Sequence, residues 1–338
     1  AAIIPWNFPI AIASWKIGPA LATGNTVVVK PSEITPLTAL RLAELALAAG
    51  LPEGVLQVVV GTGPVVGTRL VDHPDVAKVA FTGSTDVGRQ VMARAARTLK
   101  RVTLELGGKS ASVIFADADL EQAAAASPGG VFANAGQDCC ARSRVLVQRP
   151  VFDRYLSLLV DAVASWNVGD PTDPATDMGP LVTEAHRARV RSFLEEGMGE
   201  PGGGAVKPFA EGSVPGGPGF WFPPTVVAPA DPGWRMAREE IFGPVVAVIP
   251  FDDEDEAVRL ANDSPYGLSG SIWTGNGARA LRMARAVRSG NLSVNSHSSV
   301  RVQTSFGGMK QSGFGRELGL EALDTYTEVK NVFVSTDR

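Results

Sequence analysis

A chain of 338 residues with 45% apolar and 20% charged residues has a soluble globular balance and is long enough for two domains. Its formal charge of −4 gives no basis for binding nucleic acid or an anionic membrane. No apolar run reaches the ~18 residues of a membrane span, and residues 1–15 lack a basic leader, so neither a transmembrane helix nor a signal peptide is expected.

The chain opens on Ala1-Ala2-Ile3-Ile4, without Met and inside an apparent strand, so further residues before Ala1 are expected. Val27–Val29, bounded by Gly24-Asn25 and Lys30-Pro31, is a β-branched run expected as a buried parallel strand. Helical spacing of Leu37, Leu40 and Leu47 predicts a helix over 36–49, with Gly50 as its stop. Strand 55–60, short helix 64–71, strand 76–81, helix 86–99 and strand 102–106 follow in alternation. That alternation implies a parallel sheet covered by helices on both faces, a Rossmann-like layout.

A second α/β region begins with a strand at 113–115. Asp119 and Gln122 form a capping box for a helix that Pro128 and Gly129-Gly130 should kink or split. Residues 151–164 and 183–196 read as amphipathic helices, and the Gly- and Pro-rich stretch 197–220 as a surface loop or hairpin. The acidic run 252–256 fits a helix N-terminus, where carboxylates complement the dipole.

Cys139 and Cys140 are the only cysteines, side by side in NAGQDCCARSRV. A disulfide between neighbours needs a strained ring, so two reduced thiols are expected, hence a reducing, cytoplasmic compartment. No metal site is expected: His73, His186 and His297 stand in unrelated contexts and no CxxC occurs. One thiol is left as a candidate nucleophile, against the alternative of a plain buried cysteine.

Three further motifs carry possible chemistry. FTGSTDVG (81–88) ends a strand and opens a helix, with Ser84 or Thr85 as cap and amides facing an anion such as a pyrophosphate. VVVKPSE (27–33) places Lys30 and Glu33 at a strand's carboxyl end, where Glu can accept from ribose hydroxyls and repel a 2′-phosphate. In LELGGKS (104–110), Glu105 sits in an apolar setting that should raise its pKa and suit a general base. An ordinary turn, a surface ion pair and a solvent-facing glutamate are the respective alternatives.

Together with PWNFP (5–9), GQDC (136–139), EEIFGPV (239–245) and FGGMKQSGFGRELG (306–319), these motifs resemble the aldehyde dehydrogenase superfamily, in that family's order. The resemblance implies an aldehyde dehydrogenase fold: a Rossmann-like cofactor domain, a second α/β catalytic domain and a C-terminal oligomerisation strand. It makes Cys139 the nucleophile, Asn7 an oxyanion donor and Glu105 the base that activates water. Lys30 and Glu33 match adenosine-ribose contacts, Ser84 a pyrophosphate contact, Glu240 a nicotinamide-ribose ligand and Phe242 a nicotinamide neighbour. Trp6, Gly83, Leu106 and Gly107, in the same motifs, complete the implied cofactor contacts. Phe8, Ala11, Trp15, Asp138, Cys140 and Phe306 match substrate-tunnel positions, and Glu317 lies near a proton exit route in some relatives.

The implied domains are 1–106 for NAD, with its N-terminal part absent, 107–311 for catalysis, and 312–338 as return segment and oligomerisation strand. Family chains extend further at the N-terminus by about half of this chain's length. The expected activity is oxidation of an aldehyde to a carboxylic acid through a thiohemiacetal and a thioester, in a homodimer or homotetramer. Glu33 favours NAD over NADP. GQDC resembles aminoaldehyde-type members, where Asp138 would attract an ammonium and Trp15 add a cation–π contact; the alternative is that Asp138 only caps a turn. Succinate-semialdehyde-type activity stays open. A non-catalytic NAD-binding or structural homologue, and a fragment inactive without its N-terminal segment, are the other readings. Acyl transfer to coenzyme A is disfavoured by Glu105.

Overall fold

The computed structural model describes residues 1–196 and 207–336. The chain forms two compact units: 1–105 with 301–306 and 314–338, and 106–300 with 307–313.

In the first unit, β1 (Ala2–Ile3), α1 (Pro9–Ala22), β2 (Val27–Lys30), α2 (Leu37–Ala48), β3 (Leu56–Val58), α3 (Thr68–Asp72), β4 (Lys78–Thr82), α4 (Thr85–Ala95) and β5 (Arg101–Glu105) follow the expected alternation. Gly50 ends α2 at φ +94°, a conformation glycine adopts without steric cost. Ser84 caps α4 by accepting from the Val87 amide at 3.4 Å. The five strands pair in parallel in the order β5-β4-β1-β2-β3. Ile12, Ala13, Ile17, Val27, Val29 and Leu56 fill the core on this sheet. The strand order reverses between β1 and β4, so the crevice at their carboxyl ends is the place where a ligand fits such a sheet.

In the second unit, β6 (Ala111–Ile114), α5 (Leu120–Val131), β7 (Arg144–Gln148), α6 (Phe152–Ala164) and α7 (Glu184–Glu195) come first. β8 (Ala210–Glu211), β9 (Thr225–Val227), α8 (Arg235–Arg238), β10 (Val245–Phe251), α9 (Glu254–Asn262), β11 (Ser269–Trp273), α10 (Gly277–Ala286) and β12 (Asn291–Val294) complete it. The seven-stranded sheet runs β12-β11-β6-β7-β10-β9-β8, and only the β8–β9 pair is antiparallel. Its central strands are buried on both faces, which explains their unbroken apolar runs. Asp253 caps α9 by accepting from the Glu256 amide at 2.9 Å, as the acidic run led us to expect.

One expectation is corrected. α5 continues through Pro128 to Val131 without splitting. Proline removes one bond, while Ser127 Oγ donates to the Ala123 carbonyl at 2.9 Å and bonds the Tyr155 hydroxyl at 2.7 Å, pinning this turn to α6. Gly130 serves close packing: a β-carbon there would stand 2.7 Å from the His297 ring. The segment 325–335, expected as a strand that joins a sheet between subunits, forms no ladder within the single chain among the described residues. A strand needs a neighbour for its amides and carbonyls, and here Val329, Val332, Phe333 and Val334 stand exposed. Of the Gly- and Pro-rich stretch, 197–206 lies outside the described residues, and the remainder holds only the two-residue strand β8.

Candidate active site

The sheet register sets out the second unit's site. Ala111 of β6 and Ala247 of β10 both pair with Arg144 of β7. Gly107-Gly108, Cys139 and Glu240 each lie three to five residues before these strands, so parallel pairing brings them to the amino-terminal end of the sheet.

The turn carrying Cys139 is built from unusual backbone. Asn134, Ala135 and Gly136 take φ of +53°, +57° and +68° in succession. Such conformations cost about 1–3 kcal/mol for non-glycine residues and persist where surroundings impose them. Gln137 supplies part of that: its side chain donates to the Asn134 carbonyl at 2.9 Å and accepts from the Val182 amide at 2.9 Å. Asp138 Oδ1 accepts from the Cys140 amide at 2.8 Å, and the Asp138 carbonyl from the Ala141 amide at 3.0 Å. One Asp138 oxygen therefore caps the turn, and burial pushes its carboxyl pKa up.

Cys139 is half-buried and Cys140 buried, both as free thiols. Their sulfurs and an Asp138 oxygen lie within 4.8 Å of one another. A hydrogen bond with Cys140, then burial, then the negative fields of Asp138 and Glu240 push the Cys139 thiol well above its ordinary pKa. The resting group is the thiol.

Glu240 Oε1 accepts from the Gly108 amide at 2.8 Å. Burial raises its pKa to about 7, against the opposing pull of that amide, Arg189 and Lys109. A β-carbon at Gly107 would collide with the Glu240 carboxylate, so this glycine makes room for it. The Leu106 amide donates to the Ser312 carbonyl at 2.9 Å, and Ser312 Oγ to the Gly107 carbonyl at 2.7 Å, which fixes the Gly-Gly segment. Phe242 is held at φ +60°. Its carbonyl accepts from His186 Nε2 at 2.7 Å, and the two rings meet edge-on at 6.0 Å. Burial lowers the His186 pKa, leaving the ring neutral.

The first unit holds the other candidates. Buried Lys30 donates to exposed Glu33 at 3.1 Å. The Glu33 backbone amide and Lys30 hold its carboxyl below the usual range, so it stays ionised. Ser84 caps α4 at the surface, and a β-carbon at Gly83 would strike the Phe81 ring at 2.5 Å. A cleft of about 350 Å³ opens at the β1–β4 switch point, lined by Ile3, Pro64, Val71, Phe81, Val87 and Val91. Thr68, Gln90 and Arg94 add polar groups to its lining.

Glu105 is buried at the end of β5, opposite Thr82 of β4. Buried Lys16 donates to Thr82 Oγ1 at 2.8 Å and pairs with buried Glu317. Trp6, Asn7, Phe8 and Ala11 are half-buried at the start of α1. Trp15 meets Phe306 edge-on at 5.2 Å.

Each unit thus gathers its own candidates: Asp138, Cys139, Cys140, Gly107 and Glu240 in one, Lys30 with Glu33 and Trp15 with Phe306 in the other. Sequence reasoning missed His186 and the switch-point cleft. His186 looked unrelated because α7 brings it to Phe242 only in space. Val87 and Val91, four apart after a Gly-Ser turn, were the available signal for the cleft.

The family model described as aldehyde dehydrogenase family matches residues 1–332. The chain is 46% identical over 339 residues to the NADP/NAD-dependent aldehyde dehydrogenase PuuC of Escherichia coli (strain K12), covering 100% of this chain and 67% of that one. An aldehyde dehydrogenase mutant from Bacillus cereus superimposes with a TM-score of 0.94 at 44% identity, over 98% of this chain and 67% of that one. Betaine aldehyde dehydrogenase of Staphylococcus aureus, in complex with NAD+, gives 0.92 at 41% identity, over 96% and 64%. The chain spans about two thirds of the length of these relatives. No helix among the described residues is long and apolar enough to cross a membrane. The chain belongs to the aldehyde dehydrogenase family.

Proposed function

We propose that the chain performs NAD-dependent oxidation of an aldehyde to a carboxylic acid, with Cys139 as nucleophile. The observation that carries this reading is the end of the sheet where the strained Cys139 turn, the Gly107-Gly108 segment and Glu240 converge. The relative from Staphylococcus aureus with NAD+ supports the cofactor.

Within each unit, the residues present fit their own part of NAD. The cleft between α3 and α4 would take the adenine face, Glu33 the ribose hydroxyls, the amides beside Ser84 the pyrophosphate, and Glu240 the second ribose. Trp6, Gly83, Leu106, Gly107 and Phe242 would complete the contacts by their place in the motifs. When bound, NAD supplies the acceptor for the hydride lost in oxidation.

Cys139 gives its proton to solvent, and the thiolate attacks the carbonyl carbon, giving a thiohemiacetal whose oxyanion the Asn7 amide and the Cys139 backbone N–H would stabilise. Oxidation leaves a thioester on Cys139. Glu105 takes a proton from water, hydroxide adds to the thioester, and the acid leaves as the thiol is restored. Thr82, Lys16 and Glu317 extend from the strand position opposite Glu105 and offer that proton a route away.

Phe8, Ala11, Trp15, Cys140 and Phe306 are proposed to line the aldehyde's path. Because Asp138 caps a turn and is pushed toward neutrality, the structure gives no reason to prefer an ammonium-bearing substrate. The exposed apolar segment 325–335 is proposed to pair between subunits of a homodimer or homotetramer. Two free thiols fit a reducing, cytoplasmic setting.

The test is NADH absorbance with acetaldehyde, 4-aminobutyraldehyde, betaine aldehyde and succinic semialdehyde, using this chain and a version extended at its N-terminus. Turnover that Cys139→Ala abolishes supports the reading. NAD binding without turnover in the extended version, across a broadened panel, would favour a non-catalytic homologue.

A further inference from the structure

Arg142 is buried three residues after Cys139, and every hydrogen bond it makes among the described residues goes to a neutral acceptor. Its Nη1 donates to the Cys140 carbonyl. Nε donates to Ser271 Oγ at 2.9 Å, and Nη2 to the His297 carbonyl at 3.0 Å, Ser299 Oγ at 3.1 Å and the Gly270 carbonyl at 3.4 Å. A guanidinium stripped of water and met only by neutral acceptors is costly unless negative charge lies near. The groups that support it are Cys140 once ionised, Asp138, and Cys139 once ionised. Its own field helps keep the buried His297 ring neutral.

We infer that Arg142 is a positioning residue for the nucleophile: it ties the Cys139-Cys140 turn to β11 and to 297–299, and its charge offsets that of the Cys139 thiolate. The inference rests on the reading of Cys139 as nucleophile. Around that sulfur within this unit, Asp138, Glu240 and the Cys140 thiol oppose thiolate formation. Lys109 acts on Glu240, His297 is neutral, and Arg142 is the cation behind the turn. Loss of the guanidinium should therefore leave the thiolate harder to form, a change separable from loosening of the turn.

The experiment follows the pH dependence of Cys139 alkylation by iodoacetamide, by peptide mass spectrometry, in the native chain, Arg142→Met and Arg142→Lys. Arg142→Met is expected to raise the apparent alkylation pKa by about one unit and to slow alkylation about tenfold at neutral pH. Arg142→Lys keeps the charge but loses the fork, so its alkylation pKa should stay near native while turnover falls. If Arg142→Met does not fold, by circular dichroism, Arg142→Gln takes its place with the same expectation. An unmoved alkylation pKa in the neutral variant, or an equal rise in Arg142→Lys, overturns the inference. Alkylation needs neither aldehyde nor cofactor. A native chain inert to aldehydes would therefore count against the proposed oxidation, not against the charge role of Arg142.

Discussion

Gly108 lies directly beneath the main-chain carbonyl of Cys139, so close that no β-carbon fits between them. Its amide meanwhile donates to Glu240 at 2.8 Å. One residue without a side chain thus packs under the Cys139 turn and holds the Glu240 carboxylate proposed for the cofactor. Gly108→Ala must push backbone against backbone, which costs about 1–3 kcal/mol. We expect turnover to fall at least about tenfold with the chain still folded, read by NADH kinetics beside a thermal melt.

Glu240 sets a pH dependence of stability. Its carboxyl, raised from 4.5 to about 7 by burial, ionises more readily in the unfolded chain. The stability contribution of the protonated group is full below about pH 4.5 and is lost as pH rises through 7. Glu240→Gln keeps an acceptor for the Gly108 amide but cannot ionise. Urea unfolding should show this variant more stable than native above about pH 7, the two converging toward about pH 5. In the same variant KM for NAD should rise.

His186 holds Phe242 in its left-handed conformation through the Nε2–H bond to the carbonyl. His186→Ala removes that bond and leaves the carbonyl and the backbone strain without their support. A stability loss of about 1 kcal/mol with a several-fold higher KM for NAD is expected, measured by urea titration and steady-state kinetics. An unchanged KM would detach Phe242 from cofactor binding.

Glu33 is exposed, ionised and oriented by Lys30. A 2′-phosphate there would meet a like charge. Glu33→Gln should raise kcat/KM for NADP relative to NAD by about tenfold, equivalent to ~1.4 kcal/mol. Equal gains for both cofactors would place Glu33 away from the ribose.

The strands and caps of the first unit were legible because they rest on local chemistry: the Val27–Val29 run, the Gly50 stop and Ser84 before α4 act within a few residues. Pro128 misled because local preference gave way to packing, where Ser127, Tyr155 and His297 hold the helix together. The segment 325–335 has the composition of a strand, but a ladder depends on a neighbour that composition does not provide. Cys139, Glu105 and Asn7 could be named from motifs, since each lies in a short distinctive run. Arg142 and His186 could not: their partners, Ser271 in β11 and Phe242 in the loop before β10, are far off in sequence.

The most direct measurement traps the intermediate on Cys139. Glu105→Gln, in the N-terminally extended version, would be mixed with NAD and the best aldehyde, quenched in acid and mapped by peptide mass spectrometry. The account predicts one equivalent of acyl group on Cys139, accumulating beyond the level of the Glu105-containing chain, with a matching burst of NADH. NADH formed with no acyl group on Cys139, or with the acyl group on Cys140, would contradict it.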